Sequence, residues 1–273
     1  MTTARYGWIR DLPDHRDMHY APRLATMGPL PERVDLRPHC PPVYDQGDLG
    51  SCTANALAGV IEYDEIRALQ QVTWTPSRLF IYYNERRLEG TVESDSGAQL
   101  RDGIKVVAKV GVCPEADWPY DVTRFAAAPP AAIYREALRD RVNNYMRLGQ
   151  VLTQLRTCLV EGFPFVFGFS VFASMESEAV QSSGRVPLPQ PGDSMLGGHA
   201  VACVGYDNHQ ASFIFRNSWG SDWGDDGYGH IPYAYLLDPG LAADFWTVRS
   251  APGAGGRTDR KGIEHSASER VED

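Results

Sequence analysis

At Phe165 the hydrophobic pattern of this chain changes period, and that change constrains the fold more than any other feature of the sequence. Before it, apolar residues recur at helical spacing. Leu57, Val60, Ile61 and Ala68 do so after Cys52, and Leu100, Ile104, Val107 and Ala108 mark one face of a helix from about Gly97. Thr75-Pro76 reads as a cap with proline at the first helical position. Leu148, Val151, Leu152, Leu155 and Leu159 predict a fourth helix, stopped by Gly162 and Pro164. After Phe165 the runs Phe165–Phe172, Ala200–Tyr206, Ser212–Arg216 and Phe245–Val248 are short, β-branched or aromatic, and bounded by Gly, Asn and Asp, as strands are. A helical half followed by a strand half predicts an α+β protein with segregated layers and a cleft between them. No repeat recurs at a fixed period.

With 273 residues, 43% of them hydrophobic, the chain can build one large domain or two halves packed around a cleft. The expected division is an extended arm outside the core over residues 1–30, a folded domain over 31–250 and a disordered charged tail over 251–273. A net charge of -9 without a basic block argues against a nucleic-acid partner. The charged N-terminus lacks the apolar core of a secretory signal, and no apolar run is long enough to cross a bilayer. The expectation is a cytoplasmic chain without a membrane partner, or one exported by a route that uses no signal peptide. Five cysteines at irregular spacing suit a reducing compartment. Without CxxC or HExxH groups, neither a metal nor another cofactor is expected.

Three stretches carry chemistry. Gln46-Gly47-Asp48-Leu49-Gly50-Ser51-Cys52 is a glycine-punctuated loop leading into a helix. It leaves Cys52 at the helix N-terminus, where unpaired N–H groups and the dipole favour a thiolate. The Cys52 N–H and the Gln46 amide would serve as the two donors of an oxyanion hole. Taken alone, the loop reads as a buried structural cysteine, the usual fate of a free Cys. The second stretch, Leu196-Gly197-Gly198-His199-Ala200-Val201-Ala202-Cys203-Val204-Gly205-Tyr206, sets His199 at the mouth of a strand. The third, running from Arg216-Asn217-Ser218-Trp219 to Gly229, offers Asn217 to orient the imidazole, with Trp219 over their hydrogen bond. On its own it would be a turn-rich hairpin with two core tryptophans.

Together these motifs resemble the papain-like (C1) cysteine peptidases from about Pro31 to Arg249. Gln46 and Cys52 keep the family spacing, His199 opens an HAVxxVGY strand, and Asn217 opens NSWGxxWGxxGY. Val34-Asp35-Leu36-Arg37 is similar to the start of a mature enzyme of that family, and Ser96-Gly97 precedes a helix as it does there. The resemblance implies a two-lobed fold, with a helical N-terminal lobe and a β-rich C-terminal lobe. It assigns catalysis to Cys52, His199, Asn217 and Gln46, and substrate binding to Ser96, Gly97, Leu100, Gly198, Ala200 and Trp219. Gly97 would pair with substrate backbone, while Leu100 and Ala200 would line a pocket for an apolar P2 side chain.

Leu49 stands where the family usually has a cysteine and Thr53 where it usually has an aromatic, so the common disulfide is lost and a divergent bacterial-type member is implied. Only about thirty residues precede the mature-like start, so the long helical propeptide usual in the family is not expected here. In its place, residues 1–30 with Tyr6, Trp8, Ile9, Tyr20 and Leu24 either run along the cleft as an inhibitory arm or cap the outside of the fold. The expected activity is hydrolysis of peptide or protein substrates, with endopeptidase action, through a thioester. Two alternatives stay open: an acyltransferase or deamidase with the same triad, and a catalytically silent binding module with a blocked cleft.

Overall fold

The computed structural model describes residues 6–22, 28–69 and 74–249. Helices α1 (Cys52–Leu69), α2 (Arg78–Glu89) and α3 (Leu100–Lys109) form one lobe, and a seven-stranded sheet forms the other. The sheet runs β4 (Asn144–Arg147), β9 (Ala242–Arg249), β5 (Phe165–Phe172), β6 (Met195–Asp207), β7 (Ser212–Arg216), β8 (Tyr228–Pro232), with β2 (Arg33–Asp35) also on β6, and every pairing is antiparallel. The chain is thus α+β with a papain-like two-lobed arrangement.

Helix α1 runs between the layers, packing on β6 on one side and on α2 and α3 on the other. Its residues Cys52 to Asp64 are all buried, and small side chains permit the approach. Gly59 lies against Arg216 of β7, whose Nη1 stands 2.8 Å from where a Cβ would be. On the sheet side Phe165, Phe167, Phe169, Phe213, Phe215 and Trp246 form a continuous aromatic core. None of the five cysteines forms a disulfide, so apolar burial carries the stability that a crosslink would otherwise supplement.

Several boundaries differ from the sequence expectation. Helix α2 starts after Ser77, whose hydroxyl accepts from the Phe80 N–H, while Thr75-Pro76 lies outside it in a bridge to Pro114. Serine caps by hydrogen bonding, which outweighs the proline signal two residues earlier. The third helix starts at Leu100, because Gly97 sits at φ +73 and Ala98–Gln99 form the short strand β3. The fourth, α5 (Leu152–Val160), starts four residues late, because the Leu148 N–H bonds Phe245 O in the sheet and Val151 is the cap. Strand β6 extends from Met195, well before Ala200, and β9 opens at Ala242. Strands β2, β4 and β8 and helices α4 (Ala131–Ala137), α6 (Glu178–Ser183) and α7 (Tyr233–Leu237) are too short to show a period in sequence.

The largest correction concerns the N-terminal segment. It does not lie outside the core: Trp8, Asp11 and Tyr20 are buried. Strand β1 (Trp8–Ile9) pairs parallel with β3, and His19 and Arg147 form a parallel bridge through Tyr20 N–H to Arg147 O and Arg147 N–H to Met18 O. Of the apolar residues proposed as anchors, Ile9 is exposed and Leu24 falls outside the described residues, as does the tail 251–273.

Candidate active site

Folding brings together the three stretches that sequence could only enumerate. Cys52 is the first residue of α1 and fully buried. Its sulfur is faced by the backbone N–H groups of Ala200, Gly7 and Thr53. Ala200 follows His199 in β6, so the strand that carries the imidazole reaches the N-terminus of α1 where the thiol sits. Asn217, just past β7, accepts a hydrogen bond from His199 Nε2 at 2.8 Å. The same oxygen accepts the Ser218 N–H, which identifies it as the carbonyl oxygen and leaves Nε2 protonated. Trp219 stacks on the imidazole, centroids 4.7 Å apart and planes 27° from parallel, covering that bond from water.

His199 Nδ1 has no hydrogen-bond partner among the described residues. Burial pushes the imidazole down to about 4 and the Cys52 thiol up to about 12, against the helix dipole and the N–H groups that favour a thiolate. Desolvation wins, and the pair rests neutral. The cause is visible: the N-terminal segment closes the cleft.

Gln46 is buried beside them. Its backbone N–H bonds Ser218 O, its Oε1 accepts from Ser218 Oγ at 2.6 Å, and its Nε2 donates to Leu49 O. Ser218 therefore ties the Gln46 amide to the Asn217 loop, a contact that sequence reading missed because serine in a turn-rich motif carries no distinctive signal. Thr53 also finds its explanation: its hydroxyl donates to Glu85 Oε2 of α2 at 2.8 Å, a polar contact where an aromatic ring was expected.

The predicted substrate-binding residues divide. Gly97 and Gly198 face the cleft: a Cβ on Gly97 would stand 2.1 Å from Gly7 O, and one on Gly198 2.5 Å from Trp8 O. The backbone donor to Gly7 O is the Ala98 N–H, one residue beyond Gly97, whose own N–H bonds the Tyr82 hydroxyl. Ser96 points away, to Thr91 Oγ1. Leu100 and Ala200 are fully buried, with Ala200 opposite Gly168 across β5 and β6. The Trp8 indole lies directly over Gly168, 1.9 Å from where a Cβ would be. Its Nε1 donates to Asp244 Oδ2 at 3.2 Å. The pocket expected to be apolar thus has a buried carboxylate in its wall. Asp244 was not singled out in the sequence, since it ends the apolar run Phe245–Val248, and its φ of +58 marks a kinked backbone. Tyr6 completes the cover, edge-on to His199 and Trp219, with its hydroxyl donating to Glu176 at 2.6 Å.

A buried thiol at a helix N-terminus, an imidazole held by a carboxamide and a second buried carboxamide tied to the same loop form one cluster, the arrangement of a cysteine hydrolase of α+β architecture. Comparison with known proteins narrows the class. The family model described as papain family cysteine protease matches residues 30–235. An uncharacterized peptidase C1-like protein of Acanthamoeba polyphaga mimivirus is 40% identical over 90% of this chain and 87% of its own. The crystal structure of xylellain, a cysteine protease from Xylella fastidiosa, superposes with a TM-score of 0.84 at 45% identity, covering 91% of this chain and 97% of that one. Procathepsin L 3 of Tenebrio molitor shares the fold, with a TM-score of 0.66 at 21% identity over 86% of this chain and 74% of its own. The chain belongs to the papain family of cysteine proteases and is a cysteine peptidase, a hydrolase.

Proposed function

We propose that Cys52 is the nucleophile, His199 its base, Asn217 the orienting residue and Gln46 an oxyanion donor, and that the N-terminal segment is an intramolecular inhibitor of this site. The observation that carries the catalytic reading is the His199 Nε2 to Asn217 Oδ1 bond under Trp219, which commits Nδ1 to the proton of a neighbouring thiol. Cys52 attacks the peptide carbonyl, and the Cys52 N–H and Gln46 Nε2–H receive the charge on oxygen. His199 protonates the leaving amine, then activates water against the thioester.

The inhibitory reading rests on what the segment presents to the sulfur. Gly7 offers its N–H to Cys52, while its carbonyl is turned to the Ala98 N–H at 2.7 Å. The segment therefore occupies the cleft with a backbone N–H directed at the sulfur. It also holds the thiol and imidazole dry, which keeps both uncharged.

The test is cleavage of a peptide library by the full chain and by a chain lacking residues 1–30. Inhibition predicts faster cleavage by the truncated chain, abolished by Cys52→Ala in either form. Equal rates from two folded proteins would exclude an inhibitory role, and activity that survives Cys52→Ala would exclude the mechanism. Added amines, with products weighed by mass spectrometry, separate hydrolysis from acyl transfer.

A further inference from the structure

Beyond the Trp8 pocket, away from His199, the folded domain gathers hydrogen-bond donors from three elements around two carboxylates of the N-terminal segment. The Arg101 N–H, in the first turn of α3, donates to Asp11 Oδ1 at 3.1 Å, and Trp246 Nε1 of β9 donates to Asp11 Oδ2 at 3.1 Å. The Arg101 side chain grips Asp17 with two parallel bonds, Nε to Oδ1 at 3.1 Å and Nη2 to Oδ2 at 2.6 Å, and its Nη1 also donates to Leu12 O. Arg147 of β4 reaches Asp17 at 3.2 Å, Asp11 at 3.4 Å and Asp244 at 2.8 Å. The Arg101 and Asp17 side chains are 8% and 9% exposed, so the pair is desolvated, where a two-pronged guanidinium–carboxylate contact is most selective.

The donors belong to the folded domain and the acceptors to the segment. If the segment leaves, as the proposed function requires, Arg101 and the Trp246 indole lose these acceptors, and Arg147 retains Asp244. With the segment gone, two guanidiniums face the groove beside the single carboxylate of Asp244, a net positive patch with unused forked donors that attracts another anion. We propose that Arg101, Arg147 and Trp246 form a subsite for acidic peptides, occupied in this structure by Asp11 and Asp17, that takes carboxylates of a peptide bound in the open cleft. The ligand class is a peptide with an acidic side chain at the end of the cleft beyond the Trp8 pocket.

The two positions differ in character. Burial and the neighbouring Asp244 hold Asp11 up at about 6, so its place accepts hydrogen bonds as much as charge. Asp17, paired with Arg101, carries the charge test.

The full chain with Trp8→Ala, Asp11→Asn and Asp17→Asn keeps the subsite and strips its own segment of anchors. Fluorescein-labelled peptides with the sequence of residues 6–20 are then titrated into it at pH 8 and read by anisotropy, which needs no hydrolysis and so fails or succeeds apart from the peptidase reading. The expected result is that the Asp17→Asn peptide binds at least tenfold more weakly than the native one, and that adding Arg101→Gln to the protein abolishes the difference. Binding of the two peptides within twofold, or a difference that survives Arg101→Gln, overturns the proposal. Should the triple variant not fold, Asp17→Asn alone in the full chain is read by alkylation of Cys52. At least tenfold faster labelling than wild type supports the subsite, and an unchanged rate overturns it.

Discussion

At the scale of single residues, the site is a contest between burial and hydrogen bonding. The N-terminus of α1 favours a Cys52 thiolate, yet the closed cleft removes the water a thiolate needs and holds the thiol at about 12. His199, buried and, among the described residues, hydrogen-bonded through Nε2 alone, is held at about 4. Between those values both are neutral, so Cys52 alkylation in the full chain should stay slow across neutral pH and rise only on the alkaline side. Release of the N-terminal segment rehydrates both groups, and the rate should then climb at much lower pH. A pH profile that is the same for closed and open forms would contradict this. For His199 the sign for stability follows from its depressed value: the unfolded imidazole binds a proton near 6.5, the folded one only near 4. The fold therefore loses stability as pH falls between those values. A His199→Gln variant should lose less Tm between pH 6.5 and 4 than wild type. In the open enzyme Gln46→Ala should lower kcat by roughly 10²–10³-fold, the usual cost of one oxyanion donor, whereas Cys52→Ala should bring turnover near the detection limit.

At the scale of elements, the N-terminal segment is held by shape as well as by charge. Gly7 has no side chain because a Cβ there would stand 1.8 Å from Gly50 O, and the loop carrying Gly50 leads directly into Cys52. Gly7→Ala should expel the segment while leaving the folded domain intact. The expected readout is Cys52 labelling at least tenfold faster than wild type with little change in Tm. Unchanged labelling would mean that the loop yields to the methyl group. The parallel pairing of β1 with β3 could not be read from sequence: two strands of two residues each have no period, and Trp8 and Ile9 resemble any apolar pair until Gly168, Gly198 and Asp244 surround one of them. The longer elements were legible because their apolar faces repeat: α1, β5 and β7 fall where the pattern puts them. Their ends were less so, as at Ser77 and Val151, where one side-chain cap or one backbone bond to a distant strand sets the boundary.

At the scale of the whole molecule, two lobes meet along α1 and the segment seals the opening between them. Stability comes from the aromatic sheet core and the α1 interface, with no crosslink. Reductant should leave Tm unchanged within measurement error; a drop would reveal a disulfide formed in solution. The ionic contacts of Arg101 and Arg147 with Asp11, Asp17 and Asp244 lie across the seam between the segment and the domain.

The amino-acid sequence by itself determined the α+β class, the helical and strand halves and the identity of the thiol, imidazole and carboxamides, because periodicity and motif spacing are local properties of a chain. Only the tertiary structure decided what shares space with them. Ser218 against Gln46, Asp244 beside the Trp8 indole, Glu85 under Thr53 and the two arginines around Asp11 and Asp17 are contacts between residues far apart in sequence. Such contacts leave no periodic trace, and whether a polar side chain is solvated or sealed depends on every element packed around it.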